Sequence, residues 1–315
     1  MERKILFPKI GGIMHGGDYN PEQWLDRPDI LKEDIRMMKK AGMNCATLGV
    51  FEIIFKLFVC VLFLFPFYWM VTTSLKPYLE TLQFPPTMWP ETFTLSGYHT
   101  VFEELHIMSY IKNTCIVTFT VILMQLVVNI PAAYAFARWD FKGKGIMWGI
   151  TMITFMIPGQ LTFMTVYYMF ADWGVLQTLI PQIIATIASA FSIFLLRQNF
   201  MQISFELIES AKLDNASEWK ILWRVMVPKA KSTVITTILF SFIGHWNAYF
   251  WPLVMTRNED LKPITLAIER LKNLEQGMNY TDIMAGNVIL ILPVVVLFLL
   301  FSKKIIQAMA YRGMK

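Results

Sequence analysis

The stretch HGGDYNPEQW, residues 15 to 24, sets two carboxylates, Asp18 and Glu22, four positions apart among glycines and aromatic side chains. Paired carboxylates beside aromatic faces are the equipment of glycosidic hydrolysis, which in its retaining form needs a nucleophile and an acid/base about 5 to 5.5 Å apart. Such a pair works only on a scaffold that fixes it, and both acids here stand in a loop, so they are read as inert. A second set of candidates lies in the apolar part of the chain: Gln125, Asn129, Gln160, Gln182, His245, Asn247 and the aromatic residues Trp246, Tyr249 and Trp251. Amides and aromatic faces suit saccharide binding. Gln125 and Asn129 share a helix face, and they either line a polar path or bond to a neighbouring helix. The aromatic cluster either touches a sugar or anchors the chain at the bilayer interface. Cys45, Cys60 and Cys115 have no metal-ligand or disulfide-framework spacing, and no G-x-x-x-x-G-K-[ST] phosphate loop occurs. No catalytic site, no metal site and no directly bound cofactor are expected.

The elements that carry these residues are written in the composition. Of 315 residues, 55% are hydrophobic and 16% charged, whereas a soluble domain carries charge near a quarter. Apolar stretches near twenty residues, the length that crosses about 30 Å of hydrocarbon, run approximately over 53 to 73, 112 to 136, 146 to 170, 176 to 196, 232 to 255 and 283 to 302. The fold class is therefore all-α and integral to the membrane, with six spans. With the N-terminus inside, 21 of the 28 Lys and Arg fall in inside segments, the bias that sets orientation and places both termini in the cytoplasm. Basic loops facing anionic lipid account for the net charge of +5 without a nucleic-acid partner. Prolines 66, 131, 158 and 293 are expected to interrupt spans, and Ala133 and Ala137 to permit close helix contact.

The longest inside loop, RQNFMQISFELIESAKLDNASEWKILWRVMVPKAKS, holds two short helical patterns. The first is predicted to start with Ser204 as N-cap and Glu206 in its first turn, and to bury Leu207, Ile208 and Ala211. Asn215 suits the turn, because asparagine tolerates the left-handed conformation. Asn215 or a near neighbour caps the second helix, with Glu218 completing a capping box. Trp219, Leu222, Trp223 and Met226 follow before Pro228 ends it. So much apolar surface in an aqueous loop calls for a protein partner.

ESAKLDNASEWKILWRVMVP resembles the signature loop of ABC importer membrane subunits, the E-A-A, three residues, G pattern that closes on a proline. Glu209, Ser210 and Ala211 stand at the triplet, Asn215 at the glycine and Pro228 at the proline. FPFYWMVTTSLKP, AAYAFARWDFKGKG, MIPGQ, FLLRQNF and FIGHWNAYFWPL extend the resemblance from about residue 54 to the C-terminus, toward the second membrane subunit of maltose-type sugar importers. The resemblance implies a transport subunit that is not itself an enzyme, in a bacterial cell membrane. Its implied partners are a second permease subunit, two cytoplasmic ATPases that bind ATP–Mg and an extracellular sugar-binding protein. Coupling to the ATPase is expected at Glu209, Ser210, Ala211, Leu213, Asp214, Asn215 and Pro228, in a loop of about residues 204 to 229. For the sugar path Gln125, Asn129, Gln160, Trp246, Asn247 and Tyr249 are the candidates.

Residues 1 to 51 follow another pattern. KIGGIMHGGDYN reads as a strand, Pro28 to Ala41 as a helix with Leu31, Ile35 and Met38 as its apolar stripe, and NCATLGVF as a buried parallel strand. GGDYNPEQW and AGMNCATLGVF resemble the opening of family 42 glycoside hydrolases, β-galactosidases built on a (β/α)8 barrel. Such a barrel needs roughly 250 residues, and the strands that bear the family's two carboxylates are missing. A truncated β-α-β fragment, partly disordered or loosely docked, is the expectation, fused near Phe51 to the permease at 52 to 315 by a deletion, a natural fusion or an assembly error. The rival reading, a membrane-anchored β-galactosidase, lacks its catalytic carboxylates.

Overall fold

The computed structural model describes residues 16–19, 28–41, 45–48, 50–272 and 278–310. The chain divides into two compact units, Met1–Trp69 and Met70–Lys315. In the first, strands Gly16–Tyr19 and Cys45–Leu48 pair in parallel, Gly16 against Cys45 through Tyr19 against Leu48, and helix Pro28–Lys40 connects them. Pro28 opens the helix, where its missing N–H costs nothing, and Lys39 and Lys40 face the negative end of its dipole. Of the expected apolar stripe, Ile35 is exposed and Met38 half-buried. Two strands and one helix are too small to cover their own apolar faces. Asp18, expected in a loop, lies instead in the first strand opposite Thr47, where backbone pairing extends through it, and Glu22 falls outside the described residues.

Among the described residues, three helices are long and apolar enough to cross a bilayer: Phe55–Ser74, Ile107–Arg138 and Tyr280–Ser302. Up to five spans result if each of two bent pairs counts as one, so six continuous spans are not what the described residues form. The helices run through Pro66, Pro131 and Pro293. Only Pro158 coincides with a break, where helices Lys144–Met156 and Gly159–Asp172 meet at 100°. Ile157 there is extended, at ψ 119, as the residue before a proline prefers. The expected span at 176–196 is a short helix, Ile180–Ile184, and then Ala190–Gln202, whose first turn is capped by the Ser189 hydroxyl accepting from the Ser192 amide at 3.3 Å. The fifth stops at Asn247, whose side-chain amide donates to the Ile243 carbonyl at 2.9 Å, and resumes as Phe250–Met255.

Ile107–Arg138 is the spine of the second unit. Near its start, Tyr110 packs with Val101, Ile264 and Ala267. The Asn113 amide donates to the carbonyls of Asp260 and Lys262 at 2.6 and 3.2 Å, and the Ile264 amide donates to the Thr114 hydroxyl at 2.9 Å. Before the spine begins, a loop is shaped by buried Glu80, which accepts from the Thr87 hydroxyl at 2.7 Å and the Glu91 amide at 3.1 Å. At the far end Ile130, Ala133, Tyr134 and Phe136 join Leu196 and Phe200 in a second core.

Candidate coupling site

Ser204 to Ala230 forms two short helices set on that second core. Ser204 holds the N-cap position of helix Phe205–Leu213 with no hydrogen bond from its side chain, and Glu206 alone supplies first-turn charge. The inward face is Ile208, buried, and Ala211, half-buried against the same cluster. Leu207, expected inside, is 38% exposed, because a step of 100° per residue turns it away from the arc that Ile208 and Ala211 share. The opposite arc presents Glu206, Glu209, Ser210 and Leu213 outward, and Leu213 is 84% exposed.

Asn215 ends the helix in the left-handed conformation, φ 54. The Ala216 amide donates to the Ala211 carbonyl at 3.0 Å and the Asn215 amide to the Lys212 carbonyl at 2.9 Å, the paired bonds of a Schellman motif. The second helix, Glu218–Lys229, is capped by Ser217, whose hydroxyl accepts from the Lys220 amide at 3.3 Å. Ile221, Leu222 and Met226 bury beside Ile208. Each such side chain removed from water contributes about 2 kcal/mol. The helix widens to a π-turn over Leu222–Met226 and runs past Pro228, so the proline does not end it. A wide turn accommodates a residue that lacks an N–H. The chain turns at buried Ala230, 82° before helix Lys231–Trp246.

Two arginines lock the platform beneath. Arg138 donates to the carbonyls of Phe200, at 2.5 Å, and Ile203, satisfying the open end of helix Ala190–Gln202. Arg197 returns a bond from Nε to the Phe136 carbonyl at 3.2 Å and lies over the Trp148 ring at 4.2 Å.

Glu218 does not close a capping box. Its Oε2 accepts from the Tyr134 hydroxyl at 2.6 Å and the Trp139 indole at 3.4 Å, and its Oε1 pairs with Lys212 at 3.0 Å. The Tyr134 hydroxyl holds the Glu218 carboxyl below the usual carboxylate range, against the upward pull of burial and with help from Lys212 and Trp139. The short bond to Tyr134 is the strong member, about 1.5 kcal/mol. Both partners of the Lys212 pair are about half exposed, which limits that pair to under about 1 kcal/mol. Spacing along the chain gave no signal for this contact.

The structure thus gathers Glu209, Ser210, Ala211, Leu213, Asp214 and Asn215 on one short helix and its turn, all exposed except half-buried Ala211, with Pro228 exposed on the next. The Ser210 hydroxyl bonds back to the Leu207 carbonyl at 3.1 Å. The sugar-path candidates scatter. Gln125 donates to the Thr186 carbonyl at 2.7 Å and Asn129 accepts from the Ser189 amide at 3.1 Å, so both brace the broken span. They border a cavity of about 10 Å³ with Ser192, Thr237 and Ser241, room for about one water. Trp246 is buried, donates to the Leu290 carbonyl at 2.8 Å and stacks on Phe242. Gln160, Asn247 and Tyr249 are exposed, Gln160 on the helix after the Pro158 break.

Residues 129–312 match the family described as binding-protein-dependent transport system inner membrane component. The chain belongs to that family. The chain also matches, at residues 18–53, the beta-galactosidase family, so its two similarities occupy separate stretches. Among relatives, it is 24% identical to the arabinooligosaccharides transport system permease protein AraQ of Halalkalibacterium halodurans, over 82% of this chain and 93% of that protein. To the lactose transport system permease protein LacG of Rhizobium radiobacter it is 27% identical, over 78% of this chain and 89% of that protein. A crystal structure of a bacterial ABC transporter that imports the acidic polysaccharide alginate shares the fold, with a TM-score of 0.73 at 24% identity over 81% of this chain and 95% of that one.

Proposed function

We propose that the chain is a membrane subunit of an ATP-driven sugar or oligosaccharide importer, and that Ser204–Ala230 is where an ATPase takes hold. The observation that carries this reading is the outward arc of Glu206, Glu209, Ser210 and Leu213 on a helix whose inward arc is fixed to the ends of two other helices. An exposed leucine beside two carboxylates, on a platform tied by two arginines, is built to be gripped and to pass the motion on. In this reading a second permease subunit completes the pathway, and two cytoplasmic ATPases hold ATP–Mg. A sugar-loaded binding protein delivers cargo from outside, and both termini lie in the cytoplasm of a bacterial cell. The sugar-transport names among the relatives support the cargo class, and the β-galactosidase-like residues 18–53 favour a galactoside.

Reconstitution with the partner subunits tests it. Glu209→Ala and Leu213→Asp are each expected to lower ATP-driven uptake at least tenfold while the chain still inserts in the membrane. Undiminished uptake in both would sink the assignment. The purified chain is expected to leave a chromogenic galactoside intact.

A further inference from the structure

We propose that Glu218 is the latch through which movement of the coupling helices reaches the end of the Ile107–Arg138 helix. The proposal rests on the transport reading above and adds a positioning residue to it. Three donors from three places converge on one carboxylate: Lys212 from the first coupling helix, Tyr134 from the long helix, and Trp139 from the residue after it. The apolar core under the loop is non-directional, and Ile208, Ile221, Leu222 and Met226 keep most of their burial if the pair of helices slides over it. Hydrogen bonds are directional. A displacement of the first helix moves Lys212, Lys212 draws on Oε1, and Oε2 of the same group draws on Tyr134. The carboxylate sits at the first residue of the second helix, directly after the Asn215 turn and the Ser217 cap. Both coupling helices and the long helix therefore share one fixed point. Tyr134 is itself held in place by edge-to-face contacts with Phe200 and Trp139, at 6.3 and 6.1 Å between centroids.

The test uses the assembled importer in nanodiscs and amide hydrogen exchange with and without Mg-ATP plus orthovanadate. In the wild-type complex, nucleotide is expected to change protection in both 205–229 and 126–138. In Tyr134→Phe and Glu218→Ala the response of 205–229 is expected to persist, while that of 126–138 falls at least threefold. The double variant is expected to be no worse than the worse single, and Glu218→Gln, which still accepts from Tyr134 and Trp139, to recover part of the response. A full response of 126–138 in both single variants overturns the latch and leaves the transport reading standing. So does an effect that multiplies in the double variant. A wild-type complex whose loop ignores nucleotide overturns both.

Discussion

Glu80 and Glu218 each organise a loop, but they reach different distances along the chain. Glu80 accepts from groups 7 and 11 residues ahead, Thr87 and Glu91, so it closes a loop upon itself. Glu218 accepts from groups 84 and 79 residues behind, Tyr134 and Trp139, so it fastens a loop to a helix. A carboxylate of the first kind holds a shape. One of the second kind makes the position of one element depend on that of another, and only such a contact can carry a signal.

The two acids differ most when the buried one is removed. Glu80→Ala leaves the Thr87 hydroxyl and the Glu91 amide without their acceptor and is expected to cost about 2 kcal/mol, read as a lower unfolding temperature in detergent. ATP hydrolysed per sugar carried should stay unchanged in the protein that survives; a fall in that ratio would mean that Glu80 also transmits. Glu218→Ala should show the reverse, a loss of about 1 kcal/mol, discounted for its exposure, with the main effect on the coupling ratio.

A pH series sharpens the contrast further. Because the folded value of Glu218 lies below its ordinary 4.5, the folded chain takes up that proton less readily than the unfolded one. Its contribution is complete above 4.5 and fades as pH falls through the lower, folded value. Protection factors for 205–229 are expected to be level between about pH 7 and 5 and to drop at lower pH, and Glu218→Gln should remove that drop. The smallest effect belongs to Asn215→Gly, expected to be neutral or stabilising by a few tenths of a kcal/mol, since φ 54 suits glycine better. Asn215→Val should instead destabilise by about 1 to 2 kcal/mol, measured by the same thermal unfolding.

What was legible in the sequence was local. Asn215 carries its turn chemistry in its own side chain, and the Schellman bonds it anchors lie within six residues, so the bend between the coupling helices could be read from DNAS alone. The long apolar helices were equally plain. Hydropathy did not reveal where spans break, because breaks depend on what the surroundings supply. Pro66, Pro131, Pro158 and Pro293 look alike on paper, yet only Pro158, followed by glycine, coincides with a bend. Residues 176 to 196 are apolar enough for one span, but Gln125 and Asn129 of the neighbouring helix meet the freed backbone of Thr186 and Ser189 and make an interruption tolerable. Those two amides were legible as helix neighbours and illegible as braces, since the partners lie 61 and 60 residues away. Glu218 misled for the same reason: its neighbours in sequence suggested a cap, and its neighbours in space were Tyr134 and Trp139.

The π-turn at Leu222–Met226 sets the mechanical character of the loop. Tightening it to a regular α-turn would advance the following segment by about one residue, 1.5 Å and 100°. Pro228 opposes this, because its ring presses on the carbonyl four residues back and it has no N–H to close the turn, a cost of about 3 kcal/mol. Rewinding the second coupling helix to take up slack is therefore costly. In the transport reading proposed above, it acts as a stiff strut, so that a load applied at Leu213 reaches Ala230 as displacement.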